Sequence, residues 1–279
     1  MSDGPKTESK ISIRGVTKTF GVRDANLGRR SEFTAVSEID LEVRAGEFLT
    51  LVGPSGCGKS TLLDLVAGLT APAAGEILLD GKPITGPGLD RGIVFQQYAL
   101  FPWRTAQGNI EFGLEAKKIP KRERKERARE FLDLVGLTGF EDRYPHELSG
   151  GMRQRVAIAR SLAFDPEVLL MDEPFAALDA QTRESLQEEL LKIWETTGKT
   201  VIFITHGIDE AVYLGQRVAI MTSRPGRIKE IVDVEFDSRD GDLRAHPKFG
   251  EYRHHIWTRL RDEVAAAQAI EREAVGSVG

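Results

Sequence analysis

The chain has 279 residues, a length that suits one large α/β domain with an insert, or one domain and a small appendage. Its 38 Lys and Arg against 43 Asp and Glu give a formal net charge of -5, which argues against a nucleic-acid-binding surface as its main business and against extended disorder. No apolar run approaches the ~20 residues of a membrane span, and a single cysteine, Cys57, forbids an internal disulfide, so the chain reads as soluble by itself and cytosolic.

The first ten residues are polar without an apolar core and read as a flexible N-terminus, neither signal peptide nor anchor. Residues 11 to about 50 alternate like antiparallel strands, with Ile11, Ile13 and Val16 followed by Ile39, Leu41 and Val43. The apolar run Phe48–Val52 then reads as a buried strand, and Leu62, Leu63, Leu65, Val66 and Leu69 as a helix. Between them stands Gly53-Pro54-Ser55-Gly56-Cys57-Gly58-Lys59-Ser60, a phosphate-binding loop in the strand–loop–helix context it needs. The glycines let the backbone curl with its N–H groups inward, and the helix N-terminus adds partial positive charge. Lys59 can reach β- and γ-phosphates, and the Ser60 hydroxyl, with Thr61 beside it, can meet Mg²⁺ and phosphate. These residues predict binding of a nucleoside triphosphate. Backbone amides and Lys59 are expected to lower the Cys57 pKa, although the plainer reading is a small residue that fits the loop.

Two further strand-like segments, Gly75–Asp80 and Gly92–Phe95, follow, and the second leads to Gln96, an amide able to ligate Mg²⁺ and orient water. From about 105 to 163 the pattern turns helical. Pro120 opens a helix with Ala128, Phe131, Leu132 and Val135 on one face, and its mixed run of Lys, Arg and Glu reads as a solvated face. Leu148-Ser149-Gly150-Gly151-Met152 then precedes another helix. Ser149 is a good N-cap and the glycines leave bare amides at a positive helix end, so this is a second phosphate-binding device.

From 164 the strand–loop–helix rhythm returns and implies a mostly parallel sheet covered by helices. The strand Glu167–Met171 ends at Asp172 and Glu173, which can divide the work between holding Mg²⁺ and polarising an attacking water. The strand Thr200–Thr205 ends at His206, which can bond a γ-phosphate. A tail with Phe249, Ile256, Leu260 and Val264 at helical spacing, plus Trp257, predicts a helix near 249–270.

In this order the phosphate loop, Gln96, the Leu148–Met152 signature, Asp172-Glu173, Ala177-Leu178-Asp179 and His206 resemble the ATP-binding cassette of ABC transporters, over roughly residues 11–235. The resemblance implies a P-loop NTPase (RecA-like) α/β fold, a mostly parallel sheet core with an antiparallel β subdomain and a helical subdomain inserted at about 105–163, leaving 236–279 as a tail. It implies ATP and Mg²⁺ as cofactors, with Glu173, His206 and Gln96 catalytic, Ser60, Gln96 and Asp172 at the metal, and Phe20 stacked on adenine, Phe33 being the substitute. It also implies a head-to-tail pair of copies in which Ser149, Gly150 and Gly151 of one chain complete the ATP site of the other. Met152 and Gly207 depart from the residues common at their positions in that family. The stretches Gln96–Trp103 and Ser223-Arg-Pro-Gly-Arg227-Ile228 look like the nitrate/sulfonate/taurine importer subgroup. That similarity implies separate integral membrane permease subunits, a solute-binding protein, and a peripheral place on the cytoplasmic face of the inner (plasma) membrane. Aromatic acids or vitamin precursors are the other solutes. An ATP-gated module without transport is the alternative class, and a P-loop kinase is disfavoured by the signature.

Overall fold

The structure is a computed structural model that describes residues 9–23, 30–237 and 243–276. In chain order its first elements are β1 (Ser9–Arg23), β2 (Arg30–Arg44), β3 (Phe48–Val52), α1 (Lys59–Ala67), β4 (Ala74–Leu79), β5 (Lys82–Pro83) and β6 (Arg91–Val94). Then come α2 (Ala106–Ala116), α3 (Lys121–Leu134), α4 (Gly150–Ala163), β7 (Val168–Asp172), α5 (Ala180–Thr197) and β8 (Thr200–Ile204). The last are α6 (Ile208–Leu214), β9 (Arg217–Met221), β10 (Ile228–Asp233) and α7 (Pro247–Gly276). They divide into two compact units, residues 1–87 with 204–279, and residues 88–203.

The first unit holds the antiparallel sheet β2-β1-β4-β5, with Ile13 opposite Leu41 and Val16 opposite Ile39. The alternation read in the sequence is the pleat of this sheet: Ile11, Ile13, Val16, Ile39, Leu41 and Val43 are all buried on one face. Strand β1 takes in Ser9 and Lys10; residues 1–8 of the expected flexible terminus lie outside the described residues. In the same unit β3 runs parallel to β9, and β10 closes that edge antiparallel to β9. All five residues of β3 are buried, which explains why Phe48–Val52 reads as a continuous apolar run rather than as alternation, and all five of the adjacent β9 are buried as well. Arg217 at the start of β9 donates to both carboxylate oxygens of Glu47, at 3.0 and 3.2 Å, an ion pair nearly closed to water.

In the second unit β6 and β7 are parallel, Val94 opposite Met171, with β8 on the other side of β7. Helices α2, α3 and α4 pack on one another. Ala128, Leu132 and Val135 are buried, while the charged face of α3 is solvated and carries the i,i+4 pairs Arg122–Glu126 and Glu123–Arg127. Side chains cap three of these helices at their N-termini: Thr105 on α2, Ser149 on α4 and Asp179 on α5. The mixed sheets and the helical segment are those of the expected α/β fold class.

Candidate functional site

The first unit carries the phosphate loop, between the end of β3 and the start of α1. Gly56 and Gly58 take left-handed φ values of 71° and 101°. Gly58 is also crowded, because a Cβ there would stand 2.5 Å from Val36 Cγ1. The Lys59 ammonium is turned back into the loop, donating to the carbonyls of Gly53 at 2.8 Å and Pro54 at 3.0 Å, and it is almost wholly buried. The loop therefore holds a cation at its centre before any anion arrives. No acid stands in the first turn of α1, so the positive end of that helix is not neutralised from within; Ser60 is exposed and Thr61 half-buried in that turn.

Cys57 overturns its sequence expectation. The side chain is 1% exposed, and burial pushes the thiol up, outweighing the pull of the Lys59 ammonium and the local amide hydrogen bonds. The plainer reading, a small buried residue that fits the loop beside Lys59, is the one the structure bears out.

Phe20 and Phe33 are register partners across β1 and β2, and their rings stack at 5.6 Å and 23°. Phe33 is also covered by the Arg224 guanidinium, 4.9 Å from its centroid, whereas Phe20 stays 37% exposed. Phe20 is the more exposed of the two, although the Lys18 ammonium stands 5.1 Å from its centroid, and Phe33 backs it. His206 follows β8 and lines an open cleft of about 470 Å³ together with Gly53, Pro54 and Ser55, so this histidine and the phosphate loop share one wall. Its neighbour Thr205 anchors the turn: the backbone N–H donates to Leu51 O at 3.2 Å, and the hydroxyl accepts from Gly207 N at 2.9 Å and donates to Glu210.

The second unit gathers the other candidates. Because β6 and β7 are parallel and in register, Gln96 just past β6 and Asp172-Glu173 at the end of β7 reach the same strand edge. Asp172 Oδ1 is buried without a hydrogen-bond partner, an oxygen left over for a cation. Glu173 has a left-handed φ of 46°, a conformation that non-glycine residues keep only where surroundings hold it. The Ser149 hydroxyl accepts from Met152 N at 3.3 Å, and Gly150 and Gly151 open α4. Glycine is required at 151, where a Cβ would stand 2.7 Å from Thr182 Cγ2, and a Cβ at 150 would stand 3.3 Å from the Tyr98 hydroxyl.

Sequence reasoning did not single out the arginines around this signature. Arg153 lies over the Tyr98 ring at 5.4 Å, and Arg160 donates to the carbonyls of Tyr98 and Ala99. Both are on α4, seven residues apart, and so on one helix face; that spacing was the available signal.

Residues 36–176 match the family model for ABC transporters. The chain is 58% identical over 255 residues to an uncharacterized ABC transporter ATP-binding protein of Methanocaldococcus jannaschii, covering 91% of this chain and 92% of the relative. It belongs to the ABC transporter ATP-binding family. The chain is an ATP-binding ATPase subunit of the nitrate/sulfonate/taurine type. A nitrate import ATP-binding protein of Synechocystis is 46% identical, over 90% of this chain and 96% of the relative. A taurine import ATP-binding protein of Roseobacter denitrificans is 48% identical, over 90% and 94%. Among solved structures, an ATP-binding cassette dimer in a post-hydrolysis state, bound to ADP and Pi, superposes with a TM-score of 0.70 at 34% identity, covering 81% of this chain and 99% of that one.

Proposed function

We propose that this chain powers an importer for a small anion such as nitrate, a sulfonate or taurine, working as a head-to-tail pair of copies beneath separate integral membrane permease subunits. One observation carries the membrane partner. Trp103 is 71% exposed, and its ring lies 5.5 Å from that of the half-buried Phe101, which in turn meets the exposed Phe112 at 4.6 Å, an apolar group a few residues past Gln96. It is held rigidly: buried Asn109 accepts from Phe101 N at 2.8 Å and donates to Phe101 O at 3.2 Å. A stiff aromatic knob joined in sequence to a candidate catalytic glutamine suits docking of a permease segment whose movement must reach the ATP site. No helix among the described residues is long and apolar enough to cross a membrane, which fits a peripheral subunit on the cytoplasmic face.

Within the site, the phosphate loop and Lys59 take the β- and γ-phosphates, Phe20 receives the adenine, and Glu173 polarises water toward the γ-phosphate. His206, sharing the cleft of Gly53–Ser55, senses that phosphate. Mg²⁺, when bound, would neutralise charge on the phosphate oxygens, and Ser60, Gln96 and the unpartnered Asp172 Oδ1 are fit to hold it. The amides of Gly150 and Gly151 with the Ser149 hydroxyl serve the nucleotide of the partner copy. A shared ligand of this kind must favour closure by about 5.5 kcal/mol to swing the pair from mostly open to mostly closed.

The test is affinity purification of the tagged chain from its native membranes, followed by ATPase assays of the recovered complex with a solute-binding protein and candidate anions. Recovery of membrane-spanning subunits and stimulation by one anion are expected. Stimulation by an aromatic acid or a vitamin precursor would overturn the solute class, and recovery with cytosolic proteins alone would overturn transport.

A further inference from the structure

The segment Ser223-Arg-Pro-Gly-Arg227 lies between β9 and β10 and has no role in the chemistry above. Gly226 N donates to Ala35 O at 2.9 Å, and Gly226 O accepts from Ser37 N at 2.9 Å, so the segment bridges to β2. A Cβ on Gly226 would stand 2.0 Å from Cys57 O, which means that the segment touches the phosphate loop backbone to backbone. Arg224 donates from both Nε and Nη2 to Gly56 O, each at 3.2 Å, while its guanidinium covers Phe33. One side chain therefore contacts the phosphate loop and the aromatic pair at once.

The segment is itself held from α7. Ser223 N donates to Glu263 Oε2 at 2.8 Å, and Glu263 Oε1 accepts from Lys229 Nζ at 2.7 Å. Glu263 is mostly buried, at 15% exposure. Burial pushes its carboxyl up, but the bonds from Lys229 and Ser223 outweigh that push and hold it below the usual carboxylate range. A charged acceptor locked between a backbone N–H and an ammonium is a rigid anchor.

We propose that Arg224 and Glu263 are positioning residues for nucleotide binding: Glu263 fixes the 222–227 loop from the C-terminal helix, and Arg224 on that loop fixes Gly56 and Phe33. A phosphate cradle binds through backbone amides whose directions must be set in advance, and pre-set geometry appears as affinity. The brace acts on the ground-state complex, not on the water-attacking groups. It rests on nucleotide binding at the phosphate loop, and the wild-type arm of the assay reports on that binding separately.

The experiment measures ADP affinity by calorimetry, and ATPase KM and kcat, for Arg224→Ala, Glu263→Ala and the double variant of the full chain. Each single change is expected to weaken ADP and raise KM by about 5- to 20-fold, with kcat at saturating ATP within about 2-fold. The double variant is expected to be no worse than the worse single one, because both act through one loop. Glu263→Gln, which keeps an acceptor for Ser223 N–H, recovers most of the affinity. Ile256→Ala, a packing change on the same helix outside the Gly53–Ser55 cleft, lowers the melting temperature and leaves ADP affinity unchanged. Arg224 is exposed, so its variant folds whatever the stability of Glu263→Ala. ADP affinity within about 2-fold of wild type in Arg224→Ala, additive losses in the double variant, or an equal loss in Ile256→Ala would each overturn the proposal.

Discussion

The guanidinium of Arg160 on α4 donates to the carbonyl of Ala99 at 2.6 Å and, from its other nitrogen, to that of Tyr98 at 3.1 Å. Tyr98 and Ala99 are consecutive left-handed residues, with φ of 36° and 47°, so the turn after Gln96 is one the chain does not favour by itself. Arg160 is what holds it, and Arg153 stacking on Tyr98 adds a second tie from the same helix. Two side chains of the signature helix thus tie it to the turn after Gln96. Arg160→Ala removes two charge-assisted bonds and leaves two carbonyls unpaired, and is expected to destabilise the chain by about 2–3 kcal/mol. Denaturant midpoints check the magnitude. An unchanged midpoint would show that the turn stands without the arginine.

Glu173 is the carboxylate assigned to the attacking water. Glu173→Gln keeps size and hydrogen bonding but removes the proton acceptor, and is expected to slow hydrolysis by about 10²–10⁴-fold while ATP binding survives. Chromatography with ATP should then show the paired copies accumulating. Near-normal turnover would take Glu173 out of the catalytic role.

The shared-site reading predicts a particular pattern in mixtures. Ser149→Arg blocks the signature without touching the same chain's phosphate loop, and Lys59→Ala disables the loop without touching the signature. A heterodimer of the two has one site with both lesions and one with neither, so it should bind and turn over at a single site. Two working sites, or none, in isolated heterodimers would contradict composite sites.

Much of this was readable from the chain. The phosphate loop announces itself because Gly53, Gly56 and Gly58 obey local backbone and packing constraints that only glycine meets. Strands β3, β7 and β8 were legible as largely apolar runs, whereas β9, which opens on the buried Arg217, was not read from the sequence. What stayed hidden rests on contacts between residues distant in sequence. Nothing in the spacing of Arg224 pairs it with Gly56, or of Glu263 with Ser223, 168 and 40 residues away. The direction of the Cys57 shift was missed for a related reason. A neighbouring lysine is visible in sequence, whereas the burial that outweighs it is not.

Glu47 and Arg217 form a further long-range pair, with side chains only 3% and 10% exposed. Such a pair contributes little net stability against a well-packed apolar replacement, yet removing Arg217 leaves the buried Glu47 carboxylate with the Arg44 N–H at 2.7 Å in place of its cation. Arg217→Met is therefore expected to cost about 3–5 kcal/mol, and Glu47→Gln with Arg217→Met together less than Arg217→Met alone. Urea unfolding of Arg217→Met, Glu47→Gln and the double variant tests this; a double variant as unstable as the sum of the two single changes would mean that the two residues act separately.

Glu230 on β10 shows how α7 should respond to acid. Its Oε1 meets His255 Nε2 at 2.7 Å and its Oε2 accepts from Arg259 Nε at 2.8 Å, both residues belonging to α7. The His255 hydrogen bond is the largest influence and, with the smaller pulls of the His255 and Arg259 charges, holds the Glu230 carboxyl below its ordinary value against burial, the second-largest influence, which pushes it up. A carboxyl with a depressed folded-state pKa contributes stability that is complete above the unfolded value, about 4.3, and is lost as pH falls through the folded one. Glu230→Gln should accordingly be less stable than wild type near pH 5, and the gap should close below about pH 4. Because the group is part-exposed, the gap should be about 1 kcal/mol or less. Melting curves of both proteins across pH 3–7 decide it, and a gap that widens on acidification would show that the ties to α7 do not depend on the charge of Glu230.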